Sequence, residues 1–481
     1  MTHITRGISF AASLILISTV AVAPQAQAQS TTAAYVYVQI GGPAGAVYGY
    51  SASSSGTLAA ISGSPFKTGT AIVGSNNSQF FTLGQTTLHS FAIASNGAIG
   101  SQVGSAAVFD YAGNSCGGGP NGLENAVLDH TGKYVYVELQ GAGDGTCAAY
   151  QTYIVNSDGT LTFDGDTEQT FESEAGTGVP SILGNETFAY ATEWDGHYTG
   201  DVGFKRQSTG TLETIQFKET DPTLSGTFYL PSSPDASPTG NYVVLQLYPS
   251  DGGGDSGNPQ LGSYSVDSSG NLTTTNTSSN MPTPSLGGGL STFSPDGTMF
   301  VLYNSGTGAY GGIEIYNFNG AAPLTLNTTL LNGTPISHVA WDTSHHLYVI
   351  SQAENTMWVF NVTPTSVAQT AKLSIGTPFS IVVASHSASS ACAAPTSDGV
   401  NVCSPANGAT VNSPVQITAA ATVSGGVYRF ELWNGDTKLL SDDNGTMDQT
   451  VTLAPGTYKL TFDARNSSGT HEYAYRDITV Q

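Results

Sequence analysis

The stretch at 336–362, ISHVAWDTSHHLYVISQAENTMWVFNV, constrains the fold more than any other part of the chain. Val339 and Trp341 alternate with polar neighbours, a His345-His346 turn leads into Leu347-Tyr348-Val349-Ile350, and a second turn leads into Met357-Trp358-Val359-Phe360. Apolar runs of period two joined by short polar turns predict antiparallel strands. One hairpin cannot bury both faces of such strands, so the unit must stack against copies of itself.

The copies are present. Each is marked by an aromatic in a short apolar run, usually followed by a polar turn with Gly: Tyr50 (VYGYSASSSGTL), Phe91 (LHSFAIASNGAI), Tyr153 (QTYIVNSDGTL), Phe204 (VGFKRQSTGTL), Tyr264 (LGSYSVDSSGNL), Tyr316 (IEIYNFNGAAPL) and Phe360, seven in all. The strand before it is legible in YVYV after Gly132-Lys133, TFAYAT after Asn185-Glu186, NYVVL after Gly240, MFVLY after Gly297 and LYVI after His345. Gly at such turns supplies positive φ at little steric cost. Spacings of roughly 40 to 60 residues, with about four strands each, predict a seven-bladed β-propeller over 35–385. The run PFSIVV closes the repeats, and Tyr35 to Ile40 (YVYVQI) is the N-terminal strand expected to complete the last blade.

Ahead of the repeats, residues 1–28 carry one Arg (Arg6), an apolar run from Ile8 to Val22, and Ala26-Gln27-Ala28 as a small-residue cleavage site. This is the pattern of a secretory signal peptide, so the mature chain is expected to be secreted, periplasmic or on the cell surface, without membrane insertion. Composition points the same way. With 12 Lys+Arg against 35 Asp+Glu, the net charge of −23 argues against nucleic acid as a partner. In an oxidising compartment the four cysteines are expected to pair locally, as Cys116–Cys147 and Cys392–Cys403. The other reading, a Cys-ligated metal, lacks a C-x-x-C pair or a companion His, and no metal site is expected.

A small-residue linker, 386–391, precedes a change of pattern. Residues 392–481 read as seven short strands, VNVC, VQITAAAT, VYRFELW, TKLL, QTVTL, TYKLTFDARN and EYAYRDITV, separated by turn signals such as Asn434-Gly435 and Pro455-Gly456. Alternating strands of this number predict an Ig-like β-sandwich, with Phe430, Trp433 and Tyr458 in or at the edge of its core. The stretch GVNVCSPANGATVNSPVQITAAAT resembles the bacterial Ig-like domains appended to exported proteins, which implies a spacer or an adhesive surface. The whole chain is thus expected to be all-β.

Through its blade pattern, Gly56-Thr57-Leu58 with Gly63-Ser64-Pro65-Phe66, and residues 336–360, the first domain resembles the lactonase-type propellers, which include 6-phosphogluconolactonase-like and muconate-cyclising enzymes. Opening a lactone with water needs a base to activate the water and a donor or cation where charge develops on oxygen. The resemblance implies an Arg-His pair before the last-blade strand and a Glu one strand on. The matching positions here are Ser337-His338 and Gln352. His338 is kept as the candidate catalytic residue of a lactonase, but a hydroxyl cannot replace a guanidinium and an amide cannot act as a base. Lys205 and Arg206 are the nearest replacement cations in the repeats and read as an outer-strand turn; His130 reads as a solvent-facing turn before an outer strand, and His345-His346 as an exposed turn.

One other cluster could bind a ligand. Glu193, Trp194, Asp195 and His197 gather carboxylates, an aromatic and an imidazole in one loop, suited to a sugar or metal, against the simpler reading of a solvated loop packed on the blade edge. No cofactor is expected. Acidic loops at 164–166, 251–255 and 442–445 could supply oxygens to a structural Ca²⁺, yet none has the twelve-residue ligand order of an EF-hand, and Asp and Gly are ordinary turn residues. Three functions remain open: a non-catalytic exported protein binding a glycan or cell-surface protein, an extracytoplasmic lactonase acting on a sugar lactone, and a structural or adhesive surface component.

Overall fold

The structure is a computed structural model that describes residues 32–480 except 95, 109–122, 141–146, 171–175, 195–198, 221, 223–227, 251–256, 386–391, 393, 412–414, 443–444 and 452. Seven antiparallel sheets run through residues 32–385. Blade 1 joins the two ends of the domain: Pro378–Ser385 is its inner strand, followed outward by Thr32–Ile40, Ala46–Ser53 and Leu58–Ala60. The pairing runs from Ala34↔Ser385 to Ile40↔Pro378. Blades 2 to 7 then begin with the inner strands Ala71–Ser75, Leu123–Leu128, Ser181–Ile182 (with Gly176–Thr177), Phe228–Ala236, Leu290–Phe293 and His338–Trp341. The seven marker aromatics all fall in the third strand of a blade, from Tyr50 in Ala46–Ser53 to Phe360 in Thr356–Thr363.

The apolar runs are explained by what lies between blades. Seven clusters of buried side chains fill the seven junctions: Tyr37 and Val47 meet Phe80 between blades 1 and 2, and Tyr348, Ile350 and Met357 meet Val36 and Val38 between blades 7 and 1. Each second strand is covered on both faces. Val243 and Leu245 pack towards blade 4 while Val244 packs towards blade 6, so the run reads as continuously apolar instead of alternating.

The turn glycines serve the same junctions. Gly97, Gly210 and Gly270, each between the third and fourth strands of its blade, offer carbonyls to Tyr37, Tyr136 and Tyr190 of the preceding blade, with Oη–O distances of 2.8, 2.7 and 2.7 Å. A tyrosine buried at one blade thus finds its acceptor in the next. Gly210 has φ +108°, and a Cβ built there would lie 2.1 Å from Cε1 of Tyr134. Gly210→Ala is therefore expected to lower the unfolding free energy by about 2–4 kcal/mol, from backbone strain plus the clash. Urea denaturation of the variant checks this; a loss below about 0.5 kcal/mol, the size of an ordinary surface change, would mean that the turn relaxes freely.

The C-terminal unit is a two-sheet sandwich. Gly399–Ser404, Val415–Thr422 and Thr446–Val451 form one sheet. Ala409–Val411, His471–Val480, Gly456–Arg465, Arg429–Asn434 and Thr437–Asp442 form the other, in that order. Phe430, Leu432, Phe462 and Ile417 lie in the core between them, with Tyr458 packed at its margin. Trp433 departs from the expectation: it alternates with Leu432, sits on the outer face, and carries the Lys438 ammonium 5.8 Å from its ring centroid. Cys392 and Cys403 form a disulfide. Cys147 opens the strand Cys147–Val155, but its pairing with Cys116 falls outside the described residues.

Candidate functional site

His338 is the first residue of the inner strand of blade 7. The side chain is half-buried, and burial lowers its pKa below the ordinary histidine value. Ser337 and Gln352, where the sequence resemblance implies charged residues, are neutral: the Gln352 backbone N–H donates to Ser337 Oγ at 2.9 Å, and the Ser337 N–H donates to the carbonyl of Ile350. Arg206 does not supply the missing cation. It is buried at the end of Thr199–Arg206 in blade 4, where it pairs with Asp129 at 3.0 Å and Glu186 at 3.4 Å and lies 4.5 Å from the Tyr134 ring centroid. It is thus a buried tie between blades 3 and 4 and not the outer-strand turn residue the sequence suggested.

The opposite end of the inner strands holds a cavity of about 610 Å³ to which all seven blades contribute. Its lining comes from the C-terminal residues of those strands, including Ser75, Ser181, Asp235, Thr292 and Trp341. His338 begins the strand that Trp341 ends, roughly 10 Å away along an extended chain. An adjoining cavity of about 460 Å³ shares Asp235, Ser181, Thr292 and His130. His130 is an exposed residue, as expected, but its turn joins the innermost and second strands of blade 3, so it faces the channel and not the outer rim. Partial desolvation by the channel wall lowers its pKa, with help from Arg206 and opposed in part by Asp129 and Glu186.

Asp235 reaches the channel because its strand is irregular. The register of Phe228–Ala236 against Tyr242–Ser250 shifts between Ser232 and Asp235, and Ser233 takes φ +52°. Such a bulge re-aims the residues beyond it, and the left-handed serine costs on the order of 1–3 kcal/mol. Neighbouring hydroxyls hold the bulge: Ser233 N–H donates to Thr192 Oγ1 at 2.8 Å and Ala236 N–H to Ser181 Oγ at 2.8 Å. The Asp235 carboxylate accepts one hydrogen bond, at Oδ2 from Ser291 Oγ. Burial raises its pKa to about 6 despite that bond. Its charge adds to burial in raising the pKa of Tyr303.

The remaining histidine pair is not an exposed turn. His345 is partly exposed, has φ +66°, and meets Asp296 at 2.9 Å. His346 is fully buried, with Nδ1 2.8 Å from Oδ2 of the equally buried Asp342. Glu193 and Trp194 end the strand Phe188–Trp194, while Asp195 and His197 lie outside the described residues. Of the acidic loops, 251–255 and 443–444 also lie largely outside them, and among the described residues no group of three or more His, Cys, Asp or Glu is placed to hold a metal. On the Ig-like unit, exposed Tyr473 and Tyr475 form a row with His471 along one strand face; successive rings are within 8° and 14° of parallel, with centroids 5.7 and 6.5 Å apart.

With this geometry in place, likeness to known proteins can be weighed. A periplasmic gluconolactonase of Pseudomonas aeruginosa superposes with a TM-score of 0.50 at 14% identity, over 73% of this chain and 99% of its own. A candidate 6-phosphogluconolactonase of Bacteroides uniformis does so with a TM-score of 0.50 at 14% identity, over 73% of this chain and 100% of its own. Identity this low shows the fold alone: the first domain is a seven-bladed β-propeller similar in fold to these two proteins. Residues 399–473 match the Bacterial Ig domain family. No curated protein matches the chain.

Proposed function

We propose that this chain is an exported, non-catalytic binding protein, in which a lactonase-like propeller and an Ig-like module hold a glycan or a cell-surface protein. The observation that carries this reading is the neutral pair Ser337 and Gln352 beside His338, joined by the Gln352 backbone N–H donating to Ser337 Oγ. A lactone carbonyl bound there would meet neither a guanidinium nor a carboxylate from those positions. The exposed Tyr473–Tyr475 row supports a surface role for the second unit, since flat aromatic faces stack on sugars or pack on partner surfaces. Export rests on the pattern of residues 1–28 and fits the Cys392–Cys403 disulfide; among the described residues no helix is long and apolar enough to cross a membrane.

The second reading, an extracytoplasmic lactonase, is favoured by His338 itself, because a histidine with lowered pKa is neutral near pH 7 and able to accept a proton. The two readings separate in one assay. Purified mature protein is expected to hydrolyse no sugar lactone above the rate of His338→Ala, with or without EDTA. Turnover that disappears in His338→Ala would make the protein an enzyme with a rebuilt site.

A further inference from the structure

We propose that the open edge of the strand His471–Val480 joins two copies of this chain, through antiparallel two-fold pairing of their Ig-like units. The edge belongs to the second domain, so the inference goes beyond the reading above and does not depend on what the propeller does.

The strand is covered along only one side. Gly456–Arg465 pairs with it from His471 to Val480, but Ala409–Val411, on the other side, reaches only Ile478, Thr479 and Val480. Among the described residues no strand pairs with 471–477 on that side. Two contacts show which backbone groups point there. The Asp477 N–H donates to Asn407 Oδ1 and the Asp477 carbonyl accepts from the Gly408 N–H, both away from Gly456–Arg465. At the hairpin turn, the Asn466 N–H donates to the Thr470 carbonyl, so the groups of Thr470 face the paired side. Directions alternate along an antiparallel strand, and both contacts put the N–H and C=O groups of His471, Tyr473 and Tyr475 on the open side. The Tyr475 carbonyl takes one hydrogen bond there, from Arg476 Nη1 at 2.8 Å, and keeps a second lone pair. Such an edge is a template for another strand.

Charge selects a second copy as the occupant. Inward-pointing charges ordinarily blunt an edge, but here their signs match under two-fold symmetry. Glu472 and Arg476 lie two residues to either side of Ala474 and on its face of the strand, which packs against the sandwich core. Glu472 has no partner among the described residues. The Arg476 guanidinium meets only carbonyls among them, those of Tyr475 and Val402, at 2.8 and 2.9 Å. A second copy running antiparallel about Tyr473 or Ala474 brings each Glu472 opposite or diagonal to the other copy's Arg476, within reach of side chains this long. On the outer face the same pairing sets Tyr473 and Tyr475, 49% and 65% exposed, beside their counterparts as cross-strand aromatic pairs. The stretch HEYAYR is thus its own complement, as an isologous two-fold contact requires. A contact this short buries less than the about 1,600 Å² of a standard interface, so the dimer is weak and concentration-dependent. It carries two propellers, and a ligand displayed in many copies is held by avidity even where each site is weak.

The test is sedimentation equilibrium of the full mature protein from micromolar to near-millimolar concentration, where a monomer–dimer equilibrium is expected. Glu472→Arg sets like charges across the edge and is expected to weaken the dimer about tenfold or more. Adding Arg476→Glu restores opposite signs and is expected to recover most of that loss. Because Arg476 also holds the Val402 carbonyl, Tyr475→Lys is a second variant that leaves this contact and the core face alone; a lysine on the edge is expected to weaken the dimer as well. Circular dichroism melts establish which variants are folded. A monomer at every concentration would overturn the proposal. So would a dimer untouched by both Glu472→Arg and Tyr475→Lys, which would place the contact elsewhere, or a folded charge-swapped variant that recovers nothing.

Discussion

Asp342→Ala is expected to destabilise the propeller by about 3–5 kcal/mol, the range for removing one partner of a buried charged network. Asp342 is fully buried and accepts four hydrogen bonds. Backbone N–H groups of Ser344 and His346 reach Oδ1 at 2.9 Å each. His346 Nδ1 and Tyr348 Oη reach Oδ2 at 2.8 Å each. Truncation leaves the His346 N–H, the His346 ring and the Tyr348 hydroxyl in a dry interior, where each unmet polar group costs about 1–3 kcal/mol, whereas the exposed Ser344 N–H can turn to water. The damage falls on the closing seam, because Tyr348 packs with Ala34, Val36 and Ala52 of blade 1. Urea denaturation read by tyrosine and tryptophan fluorescence measures it. A loss under about 1 kcal/mol would show that water replaces the carboxylate and that the network contributes little.

Asp235→Asn is expected to act in the opposite direction, increasingly from about pH 4 and fully above about pH 6. The folded-state pKa of about 6 lies above the unfolded value of roughly 3.9, so the folded protein holds this proton more tightly than the unfolded chain does. The contribution favours folding below about pH 4 and is lost as pH rises towards 6. Above that range the ionised carboxylate costs on the order of 3 kcal/mol relative to a group with an unshifted pKa. Asparagine has the shape of the protonated acid and keeps an oxygen for Ser291. Thermal melts of wild type and variant should therefore coincide near pH 4 and separate at pH 7.5, with the variant more stable by roughly 2–3 kcal/mol. A variant that is less stable at pH 7.5, or shifted equally at both pH values, would show that Asp235 is not held against its ionisation.

The blades were readable because the same physics recurs in each. The third-strand aromatic and the following Gly turn repeat since each blade needs a buried ring, and in three of them the turn is tight enough to take the preceding blade's tyrosine. Gly97, Gly210 and Gly270 are visible in the chain for that reason. The channel site was not readable, because it depends on departures from the repeat. Ser232-Ser233-Pro234-Asp235 resembles the turn sequence Ser294-Pro295-Asp296-Gly297, and only the pairing with Tyr242–Ser250 shows that it lies within a strand. Two prolines, Pro231 and Pro234, were the available signal, since proline within a strand is tolerated at a free edge such as the one lining a channel. His346 misled for a related reason: the same turn position holds Lys133 in blade 3, and nothing local reveals that blade 1 covers it. Trp433 was placed in or at the edge of the core with Phe430 and Tyr458, whereas the alternation with Phe430 and Leu432 decides its face.

Closure of blade 1 has a consequence for biogenesis. Thr32–Ile40 emerges near the start of synthesis, yet its inner partner Pro378–Ser385 follows more than three hundred residues later. Throughout that interval one edge of an apolar strand, YVYV, stays unpaired and open to pairing with other chains. Contacts this distant in sequence form slowly, so the nascent ring is most exposed to aggregation just before its final strand arrives. A chain cut short before Pro378 would lose the partner of that strand, and the defect would fall at the joint between the first-made and last-made parts of the ring.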